Sequence, residues 1–301
     1  MIVLETIIHE TIWGCPRIAR FTNAGSQHIG HLYSVYCRAG ISNKILNGPW
    51  KGKSLNDVFA LWKQEFQMEK YDFFPLTLAL TEADEHLSIQ VHPDDDAAQA
   101  LEQLARGKRE SWYFLEAPQA GYIMNGCTCR SEAEKDDMLK EKKYLEMTDK
   151  LPVGVGDYVF VYPGTLHSIT AGSLVYEIEE GADFTYRFYD YDRVDSEGNR
   201  RELHVEKAAK ALDITRKSVV KHYPELGEIE EETYSTKRIS KATQYENMSQ
   251  TVECFTLVQG SAVCDGVEIT PGMTVMLWPK EYIKDADIKL AFVAKLRGNE
   301  S

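Results

Sequence analysis

Short β-rich runs broken by Gly, Pro, Asn and Asp fill most of this 301-residue chain, among them His31–Arg38, Phe74–Leu80, Leu87–Val91, Trp112–Leu115, Gly121–Met124, Gly156–Tyr162, Leu174–Ile178 and Thr185–Tyr189. Strands this short and this closely spaced build sandwiches or barrels. Repeated strand–helix–strand units are missing, which argues against a doubly wound nucleotide-binding sheet. The length suits about two domains of roughly 150 residues each. A chain of this size buries about three quarters of the surface it exposes when unfolded.

A few helices interrupt the pattern. Ser54 opens a capping box with Asp57, and Val58, Leu61, Trp62 and Phe66 follow at helical spacing. Asp94–Asp96 would set carboxylates in the first turn of a helix through Ala97–Ala105, where the dipole favours them. Ser131 and Glu134 open another that ends near Tyr144, and Glu206–Leu212 is a shorter one. Between Lys217 and Lys241 the chain turns polar and acidic (Glu225, Glu228, Glu230, Glu231, Glu232), which reads as a solvated connector with little structure of its own. Beyond it, Cys254–Gln259, Ser261–Cys264 and Gly272–Trp278 read as a second, small β unit. Its Leu257–Gly260 and Pro271–Pro279 stretches weakly echo Gly154–Pro163, without a histidine. The expected division is a β domain over residues 1–216 that carries the chemistry, a connector over 217–241, and a small β domain over 242–301.

With 34 basic and 47 acidic residues the net charge is −13. Neither nucleic acid nor an anionic membrane gains from such a field, although one small anion can still be held in a local basic pocket. The first residues, Met1–Glu5, lack a basic stretch ahead of an apolar core, and no apolar run approaches the ~20 residues of a membrane span. Cys15, Cys37, Cys127, Cys129, Cys254 and Cys264 form no C-x-x-C pair, so reduced thiols and a cytoplasmic location are expected. The expected assembly is a monomer or homodimer.

Chemistry concentrates in three places. In Leu87-Ser-Ile-Gln-Val-His-Pro-Asp-Asp95, strand alternation puts Gln90 and His92 on one face, and Pro93 ends the strand. In the stretch from Gly156 to His167, a Pro163-Gly164 turn sets the entry of the strand bearing His167. Glu110 enters a β-rich aromatic run at Lys108-Arg-Glu-Ser-Trp-Tyr113. Two imidazoles, a carboxylate and an amide form a mixed N/O donor set suited to zinc or another borderline divalent ion. His9, His28, His31, His86, His204 and His222 lack such a context and read as structural or solvent-exposed.

At these residues the chain resembles the type I mannose-6-phosphate isomerases of the short bacterial kind, zinc enzymes of the cupin superfamily. The matching pieces run in family order from residue 13 to about 214: Trp13-Gly14, Asn47–Leu55, Phe74-Pro-Leu76, Leu87–Asp95, Gly107–Tyr113, Pro163–His167, Thr185–Arg193 and Arg201–His204. The resemblance implies a mainly β fold, a cupin-type jelly-roll barrel with a few helices and a smaller cupin-like C-terminal unit. It implies that Gln90, His92, Glu110 and His167 ligate one Zn2+ per chain. Lys108 matches a lysine of the substrate pocket and Arg187 the family's active-site arginine. Glu177 and Asp183 match acids lining the same pocket, and Trp13 an aromatic residue at its edge. Two departures fall on the substrate side. A family lysine after Phe-Pro-Leu is replaced by Ala79, and the usual Gly-Glu-x-Trp segment by Gly30-His-Leu-Tyr-Ser34.

The implied reaction interconverts mannose 6-phosphate and fructose 6-phosphate through an enediol. A divalent ion stabilises the developing oxyanion, and a carboxylate, Glu177 before Asp183, must reach the C2 proton. Arg187 and Lys108 are the fixed positive charges for the phosphate, with Arg187 also able to face the enediolate. Arg193 and Arg201 read as structural partners of Asp190, Asp192 or Glu202. The alternatives are a metal cupin acting on another sugar or sugar phosphate, and a sugar-binding protein without turnover. An iron-dependent oxygenase is disfavoured, because those usually present a second histidine where this chain has Gln90.

Overall fold

The computed structural model describes residues 1–22, 28–223 and 227–297, so Glu225 of the acidic stretch lies outside the described residues. Three large antiparallel sheets lie face to face. The first, five-stranded, runs in the order Thr148–Pro152, Tyr122–Cys127, His167–Ser168, Ile89–Val91, Tyr186–Tyr189. The middle sheet has seven strands: Val220–His222, Asp157–Val161, Lys108–Glu116, Leu174–Gly181, Leu76–Glu82, Ile29–Val35 and Ile7–Glu10. The third joins both halves of the sequence. Its order is Ile2–Leu4, Thr274–Leu277, Glu253–Cys264, Asp287–Leu296, Tyr234–Ala242, Ile229–Glu230, with Val267–Ile269 hairpinned onto Glu253–Cys264.

Side-chain alternation explains the stacking. Along Leu174–Gly181, Val175, Glu177 and Glu179 face the first sheet, whereas Tyr176 and Ile178 face the third. Trp112, Phe114, Val159, Val161 and Val175 of the middle sheet meet Ile123 and Ile169 in one core. On its other face, Tyr113, Tyr158, Phe160, Tyr176 and Ile178 pack against Tyr234, Cys254, Met276 and Phe292. The Tyr176 and Phe292 rings stack at 4.6 Å and 11°, and the Tyr234 hydroxyl donates to Ser111 Oγ at 2.7 Å. Cover on both faces is why Leu76–Glu82 is buried along its whole length.

The helices sit where caps and apolar spacing put them. Helix α1 (Leu55–Trp62) starts at Ser54, whose side chain accepts the Asp57 amide, and sends Val58, Phe59 and Trp62 into the core beside Phe74. Helix α2 (Asp95–Glu102) is capped by Asp94 in the same way. Together with α3 (Glu132–Lys140) and α4 (Val205–Ala211) it covers the outer face of the first sheet, over Ile89, Val91, Tyr186 and Phe188.

The polar stretch from Lys217 to Lys241 corrects the sequence reading. Far from being a bare connector, it supplies Val220–His222 to the middle sheet and Ile229–Glu230 and most of Tyr234–Ala242 to the third. Its acids are partly spent: Glu231 is buried and takes the Lys221 ammonium at 2.7 Å. The strand reads as polar because only its first residues are enclosed, while Arg238, Ser240 and Lys241 further on are exposed.

Candidate active site

A cleft of about 550 Å3 opens between the first and middle sheets. Strand register builds its inner wall. His167 pairs with Gln90, and Gln90 with Arg187, so three polar side chains form one row across the first sheet. Opposite them, the middle sheet aligns Glu110 with Glu179, and Trp112 with Glu177, Ala79 and Tyr33.

Local chemistry fixes each element. Asp95 of α2 accepts from the Gly107 amide at 2.8 Å and from Arg109 Nη1 at 2.9 Å, which anchors the start of the strand carrying Lys108 and Glu110. The turn before His167 needs glycine. Gly164 has φ +82°, its amide donates to the His92 carbonyl at 2.8 Å, and a Cβ there would press on Asp213 and Ala211.

His92, Glu110 and His167 converge in the interior, each at most 2% exposed. The Nδ1 of His92 lies 2.6 Å from the Phe184 carbonyl, and that of His167 lies 2.8 Å from the Thr165 carbonyl. A carbonyl can only accept, so both Nδ1 atoms carry the proton and both Nε2 atoms present lone pairs inward. Those Nε2 atoms stand 2.8 and 3.6 Å from Glu110 Oε2. Burial together with the Lys108 charge pushes the His92 imidazole well below its ordinary range, and burial together with His92 pushes His167 down to about 4. Burial works against ionisation of Glu110, but Lys108, Glu177, His167 and Trp112 outweigh it and hold the carboxyl below its usual range. Three acceptors with no proton among them therefore point at one spot. Such a group is satisfied by a cation, so His92, Glu110 and His167 could hold a metal ion.

Gln90 is the fourth group brought to this point, its Nε2 3.3 Å from His167 Nε2 and its Oε1 taking the Ser88 hydroxyl at 2.8 Å. Turning the amide over would offer the oxygen inward and leave the nitrogen to donate to Ser88, since the two ends are isosteric. The donor set thus fits the ion implied by the sequence.

Gln90 and Glu110 reach the cleft surface, where Trp13, Lys108, Glu177, Asp183 and Arg187 join them. Glu177 is gripped at both oxygens, by Trp112 Nε1 at 3.0 Å and by the Thr81 hydroxyl at 2.5 Å. Asp183 takes the Tyr36 hydroxyl at 2.8 Å. Burial opposes its ionisation, but Lys108 and that hydroxyl prevail and keep its carboxyl below the usual range. Lys108 lies 2.6 Å from Glu179. Burial pushes the Glu179 carboxyl above its usual range, with Glu177, Asp183 and Glu110 adding to the rise and Lys108 opposing it.

Several cleft residues were not picked out from the sequence, among them Glu179, His9 and His31. Glu179 shares its face with Glu177, and that two-residue spacing was the available signal. His9 and His31, read as structural or exposed, instead line the cleft. His31 stacks with His9 and Tyr33 at centroid distances of 5.6 and 5.0 Å, with Trp13 edge-on to it at 5.0 Å. For His31 the signal was its place in the altered Gly30–Ser34 segment. Arg193 and Arg201 do pair with a buried Asp190, as read from the sequence, and Arg201 also lines the cleft.

Known proteins resemble this chain in sequence and fold. A family model described as the catalytic domain of type I phosphomannose isomerase matches residues 1–113. The mannose-6-phosphate isomerase ManA of Bacillus subtilis is 32% identical over 211 residues, 70% of this chain and 67% of that protein. A mannose-6-phosphate isomerase of Streptococcus mutans is 33% identical over 214 residues, with the same coverage of 70% and 67%. The crystal structure of a mannose 6-phosphate isomerase from Bacillus subtilis superposes with a TM-score of 0.82 at 28% identity, covering 98% of this chain and 99% of that one. With these likenesses laid over the cleft and its three converging acceptors, the chain belongs to the type I mannose-6-phosphate isomerase family.

Proposed function

We propose that this enzyme interconverts mannose 6-phosphate and fructose 6-phosphate with one zinc ion held by Gln90, His92, Glu110 and His167. The observation that carries the reading is the convergence of the His92 and His167 Nε2 atoms, whose Nδ1 atoms face carbonyls, on the buried Glu110 carboxyl. When bound, the ion supplies Lewis acidity for the oxygen on which charge develops.

The chain's own groups do the rest. Glu177 is the base for the proton shuttled between C2 and C1. Its carboxylate is oriented by the Trp112 and Thr81 donors, which fix its rotamer before substrate arrives. Asp183, anchored by Tyr36, borders the same space and is the second acid of the site. Lys108 is kept cationic by Glu179 and faces sugar oxygens from the middle sheet. Arg187 offers a planar fork from the opposite wall to the phosphate or to the enediolate. Trp13, 4% exposed, shields one edge of the cleft. The residues given chemical roles all fall within 1–216, although the middle sheet that carries several of them also takes in Val220–His222.

A second reading keeps the reaction and changes the sugar. It is favoured by Ala79, which stands between Glu177 and Tyr33 in the register with no charge to offer, and by the imidazole rows of His9 and His31. A coupled isomerase assay on mannose 6-phosphate, glucose 6-phosphate and free mannose, with and without chelator, decides between them. Chelator-sensitive turnover of mannose 6-phosphate alone is the expected result. Turnover of another sugar establishes the second reading, and bound zinc without turnover overturns both.

A further inference from the structure

A phosphate dianion entering this cleft meets an uneven field. At the Lys108 end the ammonium is already committed to Glu179, and Glu110, Glu177 and Asp183 add three more carboxylates around it. A second dianion-sized charge is repelled there. At the other end, Arg187 forms no ion pair among the described residues, and its buried Nε has no hydrogen-bond partner. Burial and the nearby Arg201 charge both press its guanidinium toward the neutral form. An unpaired guanidinium in partly buried surroundings is costly unless a ligand completes it.

Arg201 is built to share that task. Its Nε donates to Asp190 Oδ2 at 2.7 Å and its Nη2 to Asp190 Oδ1, which fixes the plane of the fork against a carboxylate that is only 4% exposed. Arg193 binds the same Asp190 and also Glu85, so Asp190 is divided between two guanidinium groups and neutralises Arg201 only in part. Arg187 and Arg201 line the cleft; Arg193 is turned to the His86 carbonyl.

We propose that Arg201, acting with Arg187, forms the anion subsite of the cleft and binds the phosphate group of the sugar phosphate, while Lys108 serves the sugar end. The proposal rests on the isomerase reading above and extends it to a residue with no role yet beyond structure. Asp190 is then a positioning residue that aims Arg201.

The test compares Arg201→Gln with Arg193→Gln, each of which removes one guanidinium partner of Asp190, in the metal-loaded enzyme. Binding of inorganic phosphate is followed by calorimetry, and KM for mannose 6-phosphate by coupled assay. For Arg201→Gln we expect phosphate affinity to fall, and KM to rise, by about 10- to 100-fold, the loss of one charge-assisted bond, with kcat little changed. Arg193→Gln should match wild type in both. Equal losses in the two variants mean that only the Asp190 scaffold matters, and overturn the proposal. So does wild-type phosphate affinity in Arg201→Gln. Phosphate binding that depends on Arg201 in a protein that isomerises no sugar would keep this subsite and discard the isomerase reading instead.

Discussion

The Lys108 ammonium lies 2.6 Å from a carboxylate oxygen of Glu179, and both side chains are under 10% exposed. Removing one partner strands a buried charge, which typically costs about 3–5 kcal/mol, whereas replacing both relieves it. Lys108→Met and Glu179→Gln should therefore each destabilise the fold, and the double variant should lose less than the two single losses added together. Urea denaturation of all four proteins measures this, with a coupling of about 1–3 kcal/mol expected. Additive changes would show that the pair does not act as a unit.

Metal and turnover should separate by residue. His92→Ala and Glu110→Ala remove a converging donor and should lose both metal content and activity. Arg187→Ala leaves all four donors in place, so bound zinc measured by mass spectrometry should remain stoichiometric while turnover falls by about 10²–10³-fold. An Arg187→Ala enzyme with full activity would remove that residue from the mechanism.

Trp112 donates its single N–H toward Glu110 at 3.2 Å and Glu177 at 3.0 Å. Trp112→Phe keeps the ring's bulk in the core and withdraws the proton that orients both carboxylates. Loss of such an outer hydrogen bond typically lowers metal affinity by about 10- to 100-fold, which competition with a chromogenic chelator reads directly. Unchanged affinity would assign the indole to packing alone.

Acid should weaken the metal-stripped protein in a defined window. Unfolded, the His167 imidazole binds a proton near 6.5, but in the folded chain burial delays this to about 4. The unfolded state therefore holds more protons between these values, and stability present above pH 6.5 is lost as pH falls toward 4. The slope from this residue is about 1.4 kcal/mol per pH unit at most. His92 shifts in the same direction and steepens it. Denaturation midpoints at pH 7 and pH 5 should differ more for wild type than for His167→Ala; equal differences would contradict the buried neutral imidazole.

Much of this was legible from residue order because it obeys local rules. Gln90 and His92 share a face through the two-residue strand period, and Ser54 caps a helix where the sequence placed it, while Asp94, read as part of a first turn, is the cap of a helix that starts at Asp95. What stayed hidden depends on partners distant in the chain. His31 gains its setting from Thr81, 50 residues away, and from stacking with His9 and Tyr33. Arg201 faces the cleft because Asp190 aims it. The strand Tyr234–Ala242 escaped notice because its side chains from Lys237 on are exposed or half-buried, which masks the alternation that marks a strand with an enclosed face.

The strands bearing Glu110 and Glu177 have their backs pressed onto Tyr234 and Phe292. The second β unit is thus the outer masonry of the reaction chamber, not an appendage. A fragment ending near residue 216 would bare a broad greasy wall behind its own carboxylates, and should clump before it can process any sugar. Substitutions at Phe292 should accordingly be felt as slackened zinc binding, although that ring never meets the substrate.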